Sequence, residues 1–277
     1  MKFDKFVYML APLERITDPA FRTLCFRHGA DVTFTEMARV SAILRGNEST
    51  LPRVELKNDT PTVIQLLVSK EEELGKFLTS FEPKKGFEGF NLNMGCPSPD
   101  MIRAGLGCAL VKRVTRANAL VKLIKDRGFE ASIKMRLGLN EYEKQAKAYM
   151  NLIKAVDADY FIVHGRHGKE TYRQLCDFSV FKECAKTGKT IVANGDIKRK
   201  EDIEFLKEAG VKGAMIGRAA VKDPAIFGRL KGEQVPDAQK LKEEYALLAG
   251  ELGVEEKNRN IVLSMIGKEA GFDVDRL

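Results

Sequence analysis

The feature that most constrains the fold of this 277-residue chain is a regular alternation between short apolar runs and longer amphipathic segments. Eight runs have the length and composition of strands, and they cover residues 6–11, 31–35, 62–67, 89–92, 131–135, 160–163, 190–193 and 213–216. Helical periodicity follows each run, over residues 19–28, 41–45, 70–81, 116–127, 141–155, 178–187, 200–209 and 223–229. Eight such units predict an α/β fold, the closed (β/α)8 TIM barrel.

The composition of the runs indicates how the strands pack. Residues 161–163 and 190–193 are apolar at consecutive positions, as expected of parallel strands covered on both faces. A barrel of about 250 residues fits the chain length. A doubly wound open sheet also alternates strands and helices, but no G-x-G-x-x-G motif follows the first run.

The pattern changes after about Gly232. A charged amphipathic segment covers residues 238–252, and a second helical segment covers residues 255–267 after a break at Gly253. We therefore expect a catalytic barrel over residues 1–232 and a small helical appendage over residues 233–277.

Composition narrows the environment and the partners. Five cysteines without a C-x-x-C pair argue against a disulfide framework, and three histidines lack the spacing of a zinc site, so we expect reduced thiols and no metal. The charged N-terminus and the absence of a long uncharged apolar run predict a cytoplasmic protein without a membrane segment. A net charge of +7 favours polyanionic partners.

Active sites of such barrels lie at the carboxyl ends of the strands and in the loops that follow. Applied to the eight runs, this rule brings a mostly polar set of residues to one mouth. The set comprises Ala11, Pro12, Glu36, Met37, Gln65, residues 91–97, Lys134, Arg136, residues 164–166, residues 194–196, Gly217 and Arg218.

The loops after the seventh and eighth runs are the pair that commonly forms a phosphate site in these barrels. They carry Asn194, Gly195 and Asp196 on one strand end and Gly217 and Arg218 on the next. Glycine allows backbone N–H groups to approach a phosphate. An N-G-D tripeptide alone is also an ordinary turn, and its pairing with the neighbouring loop is what favours a phosphate site.

Three further mouth residues have two interpretations each. Lys134 could offset negative charge near N1 of a reduced flavin, or it could be a solvated lysine at a strand end. Gln65 and His164 could contact a ligand or could satisfy buried backbone groups.

Cys96 lies between glycine and proline in the segment N-L-N-M-G-C-P, on the loop after the fourth run. A thiol there faces the mouth and can donate a proton to carbon if it stays protonated near neutral pH. Two alternatives remain, a small buried hydrophobic side chain and the nucleophile of a hydrolase, although no histidine–carboxylate pairing is evident.

Residues 91–99, together with R-A-G-L-G-C-A-L at 103–110, resemble the signature of the tRNA dihydrouridine synthases. The resemblance covers roughly residues 7–230 and includes M-L-A-P at 9–12, T-D-P-A-F-R at 17–22, T-E-M at 35–37, I-Q at 64–65, K-M-R-L-G at 134–138, H-G-R at 164–166, A-N-G-D at 193–196 and M-I-G-R at 215–218. It implies an FMN-bearing barrel in which NADPH reduces the flavin. Hydride then passes to C6 of a tRNA uridine, and Cys96 protonates C5.

The resemblance also assigns roles to the mouth residues. The residues expected to bind FMN are Ala11 and Pro12 behind the isoalloxazine, Gln65, Lys134 and His164 on the ring system, and Asn194, Gly195, Asp196, Gly217 and Arg218 at the phosphate. Asn93 and Arg136 match the positions that read the flipped uracil. The expected partner is tRNA, with the protein acting as a monomer.

Three segments depart from the family pattern. Leu13-Glu14-Arg15 replaces a methionine or small residues, and His167-Gly168-Lys169 replaces a threonine-bearing stretch. The tail of some 45 residues is shorter than the family's helical domain, so docking of the tRNA body could differ. Two other classes stay open, namely an FMN barrel acting on a small molecule and a non-enzymatic tRNA-binding protein.

Overall fold

The computed structural model describes residues 2–268, and the last part of the predicted appendage, residues 269–277, lies outside them. The strands are β1 (Val7–Leu10), β2 (Thr33–Phe34), β3 (Ala38–Arg39), β4 (Thr62–Leu67), β5 (Phe87–Met94), β6 (Ala131–Arg136), β7 (Tyr160–His164), β8 (Ile191–Asn194) and β9 (Gly213–Ile216). The helices are α1 (Pro19–Arg27), α2 (Val40–Leu44), α3 (Glu71–Ser80), α4 (Pro99–Arg103), α5 (Val114–Lys125), α6 (Glu141–Gln145), α7 (Ala148–Ala155), α8 (Ser179–Ala185), α9 (Lys200–Glu208), α10 (Arg218–Lys222), α11 (Ile226–Lys231), α12 (Ala238–Glu251) and α13 (Glu256–Met265).

The strands form one parallel sheet in the order β1-β9-β8-β7-β6-β5-β4-β2. A bridge between Met9 and Val32 joins the two ends, and the Leu10 N–H donates to the Val32 carbonyl at 2.9 Å. Because β2 and β3 both pair with β4, they together fill the second position of an eight-position barrel. The predicted (β/α)8 fold is confirmed.

Two predicted elements are each divided in the structure. The second strand, expected over residues 31–35, continues as β3 beyond Glu36. The helix expected over residues 141–155 breaks between α6 and α7, where Lys147 adopts a left-handed conformation with φ of 52°. Asn140 begins α6 by accepting the Glu143 N–H at 3.0 Å.

Apolar side chains fill the amino-terminal part of the barrel interior. They are Val7, Met9, Ala11, Val32, Phe34, Val63, Tyr160, Ile162, Val192 and Met215, with Phe3 packed against them. Successive side chains of a strand alternate between the two faces, so the next inward positions toward the carboxyl ends include Gln65, Lys134 and His164. The interior is therefore an apolar plug under a polar mouth.

The appendage packs against the first helix of the barrel. The Tyr245 hydroxyl on α12 donates to Asp18 Oδ2 at 2.8 Å, while Asp18 Oδ1 caps α1 by accepting the Phe21 N–H at 2.9 Å. Glu244 pairs with Arg27 and with His28. The division between residues 232 and 233 remains a prediction.

Candidate active site

A tight turn presents Cys96 at the end of β5. The Asn93 side-chain oxygen accepts the N–H groups of Gly95 at 3.0 Å and Cys96 at 2.9 Å. The Cys96 carbonyl in turn accepts the Cys108 N–H at 3.0 Å. Gly107 permits that closure, because its φ is +58° and a Cβ there would lie 2.4 Å from the Cys96 carbonyl oxygen.

The environment of Cys96 keeps its thiol protonated. Burial raises the pKa of Cys96 above its ordinary value, and the Ser98 N–H offsets this only in part. Burial also raises the pKa of Cys108, to about 12, and its thiol faces the Gly95 carbonyl at 3.1 Å. Both thiols are therefore neutral near pH 7, and Cys96 is the one at the mouth.

A row of hydrogen-bonded side chains, which we call the amide ladder, runs across the barrel interior beside this turn. It consists of Ser132, Asn91, Gln65 and Asn93. Asn91 Nδ2 donates to Ser132 Oγ at 2.9 Å, and Gln65 Nε2 donates to Asn91 Oδ1 at 2.8 Å. Asn93 Nδ2 donates to Gln65 Oε1 at 2.9 Å. Gln65 and Asn93, both predicted site residues, are thus held together by direct contact.

A cavity of about 610 Å³ occupies the opposite half of the mouth. Nine of the ten residues predicted to bind a flavin line it: Ala11, Pro12, Lys134, His164, Asn194, Gly195, Asp196, Gly217 and Arg218. The tenth, Gln65, belongs to the amide ladder. The predicted residues therefore lie in one mouth, divided between a cavity and the Cys96 turn.

The carboxylate of Asp196 connects two arginines at the end of the cavity where the sequence predicts a phosphate site. Its Oδ1 accepts Arg218 Nη2 at 2.6 Å, and its Oδ2 pairs with the fully buried Arg166. The backbone N–H groups of Gly195 and Asp196 donate to no other group in residues 2–268. An anion would therefore meet these N–H groups and Arg218, while the carboxylate holds the arginines in place.

His164 is neutral in this setting. Its pKa is lowered well below the ordinary value by burial, and by the positive charges of Lys134 and neighbouring arginines. Arg166 Nη1 lies 3.2 Å from His164 Nε2, and a guanidinium can only donate. The imidazole proton is therefore on Nδ1.

Lys134 is buried beside the positive charge of Arg136. Burial lowers its pKa to about 8, and Arg136 acts in the same sense. Arg136 itself is held by the carbonyls of His167 at 2.9 Å and Glu170 at 3.0 Å. His167 belongs to the segment, residues 167–169, that departs from the family pattern. The backbone of this segment therefore helps to position Arg136.

Tyr172 is a mouth residue that the sequence patterns did not indicate. Its ring lies 3.9 Å from the Arg218 guanidinium carbon and stacks on His164 at 6.2 Å between ring centres. Tyr172 lies in a loop without periodicity, and only its nearness to H-G-R at 164–166 hints at its place. It adds an aromatic wall to the cavity.

Across the described part of the chain, none of the helices has both the length and the apolarity needed to cross a bilayer. Within the same residues, His, Cys, Asp and Glu side chains form no cluster that could hold a metal ion.

Residues 9–268 match the family model described as Dihydrouridine synthase (Dus). A "Probable tRNA-dihydrouridine synthase" of Helicobacter pylori is 30% identical over 230 residues, which is 80% of this chain and 69% of that protein. The protein of the same name from Aquifex aeolicus is 30% identical over 239 residues, covering 83% and 74%.

A yeast protein named "tRNA-dihydrouridine(20a/20b) synthase [NAD(P)+]" is 25% identical, over 80% of this chain and 62% of its own length. Among solved structures, N-(5'-phosphoribosyl)anthranilate isomerase from Pyrococcus furiosus shares the fold, with a TM-score of 0.50 and 15% identity over 82% of this chain and 98% of that one. The family match spans nearly all of the described residues and carries the motifs of both halves of the mouth, and this chain belongs to the dihydrouridine synthase family.

Proposed function

We propose that this enzyme reduces the C5=C6 bond of a uridine in tRNA to 5,6-dihydrouridine, with FMN in the barrel mouth and NADPH as the reductant. One observation carries the proposal: a protonated thiol on a fixed turn and a cation-lined cavity share one mouth. The names of the bacterial and yeast relatives, which refer to tRNA and in yeast to NAD(P)+, support it.

The cavity suits FMN in size and in charge. A volume of about 610 Å³ lies in the range of cofactor sites, roughly 300–1,000 Å³. Gly195 and Asp196 supply unpaired backbone N–H groups for a phosphate, beside the Arg218 guanidinium. We assign the phosphate to these groups with Asn194 and Gly217. The isoalloxazine is assigned to Ala11 and Pro12 behind it, with Gln65, Lys134 and His164 at its polar edge.

Cys96 is proposed to be the proton donor. When bound, FMN reduced by NADPH supplies the hydride that adds to C6 of uracil. The π electrons of C5=C6 shift toward the C4 carbonyl oxygen, and the Cys96 thiol gives its proton to C5. The thiolate that remains is reprotonated from solvent. The raised pKa of Cys96 supports this role, because it favours the protonated donor at neutral pH.

Asn93 and Arg136 are proposed to bind the uracil ring beside Cys96. A uridine in folded RNA has to leave its stack to reach a barrel mouth, at a cost of about a few kcal/mol that such contacts offset. We further propose that the appendage over residues 233–277 contacts the tRNA body.

The proposal is tested with purified protein and an unmodified tRNA transcript. We expect a yellow protein with a flavin spectrum that NADPH bleaches without oxygen, and dihydrouridine at a defined position of the transcript. Colourless protein that takes up no added FMN would refute the cofactor assignment. A flavin that NADPH reduces but no tRNA reoxidises would refute the substrate.

A further inference from the structure

Two cysteines lie at the two ends of the hydrogen bond that closes the Cys96 turn. The Cys108 N–H donates to the Cys96 carbonyl at 3.0 Å. This bond keeps the two Cα atoms within about 7 Å of each other, the separation beyond which a disulfide requires movement of the backbone. The backbone of the turn therefore already has the spacing that a Cys96–Cys108 disulfide needs.

The two side chains lie on adjoining parts of the same turn. The Cys108 sulfur lies 3.1 Å from the carbonyl oxygen of Gly95, the residue that precedes Cys96. A Cβ at Gly107, the residue that precedes Cys108, would lie 3.0 Å from the Cys96 Cβ. Each cysteine thus lies beside the residue that precedes the other.

The other three cysteines lie away from this turn. Cys25 on α1 and Cys184 on α8 are fully buried in the apolar layer outside the barrel. Cys176 lies in the opposite half of the mouth, where its sulfur contacts a carbonyl of β8 at 3.8 Å. Cys108 is therefore the partner that the fold provides for Cys96.

The two thiols differ in their access to small molecules. The Cys108 side chain is fully buried, and a Cβ added at Gly168 would lie 3.3 Å from its sulfur. Cys96 is half-buried at the mouth. A small oxidant such as hydrogen peroxide therefore meets Cys96 first, and Cys108 is the thiol beside it that can react with the oxidised product.

We propose that peroxide converts Cys96 and Cys108 to a reversible disulfide, and that this disulfide stops uridine reduction. The linkage itself does not depend on the proposed function, whereas its effect on activity rests on Cys96 as the proton donor. A sulfur atom within a disulfide carries no proton to give to C5. Reversible oxidation of this kind is typical of redox-sensing cysteines.

The reaction takes place in two steps. The Cys96 thiolate attacks one oxygen of hydrogen peroxide and the O–O bond breaks, so that Cys96 becomes a sulfenic acid. The hydroxide that leaves takes up the proton that the thiol had lost. The Cys108 sulfur then attacks the Cys96 sulfur, the S–S bond forms and the S–O bond breaks. The second hydroxide takes the Cys108 proton, so two thiols and one peroxide give one disulfide and two waters.

The first step needs the thiolate of Cys96. Burial raises the pKa of Cys96, and the Ser98 N–H favours the thiolate only in part, so the reactive form is the minor one near neutral pH. The rate of linkage should therefore rise with pH. An added dithiol reverses the linkage by thiol–disulfide exchange and is itself oxidised.

Peptide mapping locates the linkage directly, because a tryptic site lies between the two cysteines. Cleavage after Arg103 leaves Cys96 in residues 86–103 and Cys108 in residues 104–112. After peroxide treatment of the enzyme as purified, a digest without reductant should contain these two peptides joined. Dithiothreitol should separate them.

Activity is measured on the same samples. Treated wild type should lose uridine reduction by the factor of about 10²–10⁴ expected for a missing general acid, and dithiothreitol should restore it. Reduction of the bound cofactor by NADPH should be unchanged. These two readings separate a block at Cys96 from general damage to the enzyme.

Cys108→Ser is the matched variant, because its hydroxyl keeps a donor for the Gly95 carbonyl. It should retain most of its activity before treatment. In excess peroxide its loss of activity should resist dithiothreitol, because a sulfenic acid without a neighbouring thiol proceeds to sulfinic acid. Cys176→Ser controls for the loss of one cysteine and should form the same joined peptides as wild type.

The linkage would be overturned by wild type whose Cys96 is oxidised without the joined peptides, or stays reduced in excess peroxide at alkaline pH. Joined peptides from enzyme that still reduces uridine at the untreated rate would overturn the effect on activity. If Cys108→Ser does not fold, the wild-type map still decides the question. A failure of the proposed function is a different result, because the untreated enzyme would then form no dihydrouridine whatever the peptide map shows.

Discussion

The two halves of the barrel mouth are built by different interactions. Around β4, β5 and β6, neutral amides and hydroxyls hold the Cys96 turn through directed hydrogen bonds. Around β7, β8 and β9, charges dominate, and Asp196 joins Arg166 and Arg218 beside a cavity. The first half fixes where single atoms lie, while the second supplies an anion-attracting field.

This difference predicts that the two functions separate by mutation. Hydrogen bonds between neutral groups specify geometry, and an isosteric change that reverses one donor can alter them. Charge pairs act over longer distances and weaken as salt rises. Substitution of Cys96 should therefore affect the chemistry with the cofactor still bound, and substitution of Arg218 should affect cofactor affinity with the chemistry intact at saturation.

The largest expected effect is that of Cys96→Ala on uridine reduction. Loss of a general acid typically costs about 10²–10⁴-fold in rate, and we expect a decrease of that size. FMN binding and reduction by NADPH should stay near wild type. The measurement is single-turnover reoxidation of the reduced enzyme by unmodified tRNA, followed by flavin absorbance.

Cys108→Ala is the matched control for this prediction. Cys108 is buried under the turn, and its thiol contacts the Gly95 carbonyl. Its loss should slow reoxidation far less than the loss of Cys96. Equal effects of the two substitutions would mean that the turn matters only through its shape.

A smaller effect is expected for Arg218→Ala on flavin affinity. A hydrogen bond to a charged group contributes about 1.5–3 kcal/mol, so FMN should bind roughly 10–100-fold more weakly. At saturating FMN, the reoxidation rate should recover. Titration of the flavin-free protein with FMN measures the first quantity.

Arg127→Ala provides the comparison for Arg218→Ala, because this exposed arginine follows α5 at the opposite end of the barrel. It should bind FMN as the wild type does. If Arg218→Ala also does so, the phosphate is held elsewhere and the contrast between the two halves of the mouth is lost.

The fold was largely predictable from sequence, because consecutive apolar residues predict buried parallel strands and the regular alternation of eight strand and helix segments predicts the barrel. The run at residues 62–67 has the same bounds as β4. The rule that active-site residues lie at the carboxyl ends of barrel strands also correctly placed Lys134 and His164 at one mouth. The break at Lys147 was missed, since one left-handed residue leaves the helical periodicity on both sides unchanged. The donor and acceptor pattern of the amide ladder could not be predicted from sequence either, because it depends on which side chains of β4, β5 and β6 meet in the folded sheet.

Lys134 adjoins both halves of the mouth and yields the smallest predicted effect, which concerns stability. Among residues 2–268 its ammonium group forms no hydrogen bond or ion pair, and Asn93 lies opposite Lys134 in the strand register. Burial and Arg136 lower its pKa to about 8 from 10.5. Burial of this unpaired ammonium group therefore destabilises the fold, and an anionic cofactor in the cavity would compensate its charge.

The sign of the effect follows from proton binding. Between pH 8 and 10.5 the unfolded chain binds more protons at Lys134 than the folded one, so the stability contributed by this residue rises with pH. Below pH 8 the cost is fully present, and Lys134→Met should stabilise the flavin-free protein there. A gain of the order of 1 kcal/mol would raise the unfolding midpoint by about 2–4 °C. The advantage should shrink toward pH 10.5. Lys182→Met, on the exposed face of α8, controls for the replacement of one lysine by methionine. Thermal unfolding across the range from neutral to alkaline pH measures this difference in stability. With FMN present the order of stability should reverse, because the wild type gains more from binding.

A Lys134→Met protein that is less stable than wild type without FMN at neutral pH would show that the ammonium group is already compensated by the fold. The charged half of the mouth would then not need an anionic cofactor to balance its positive charge.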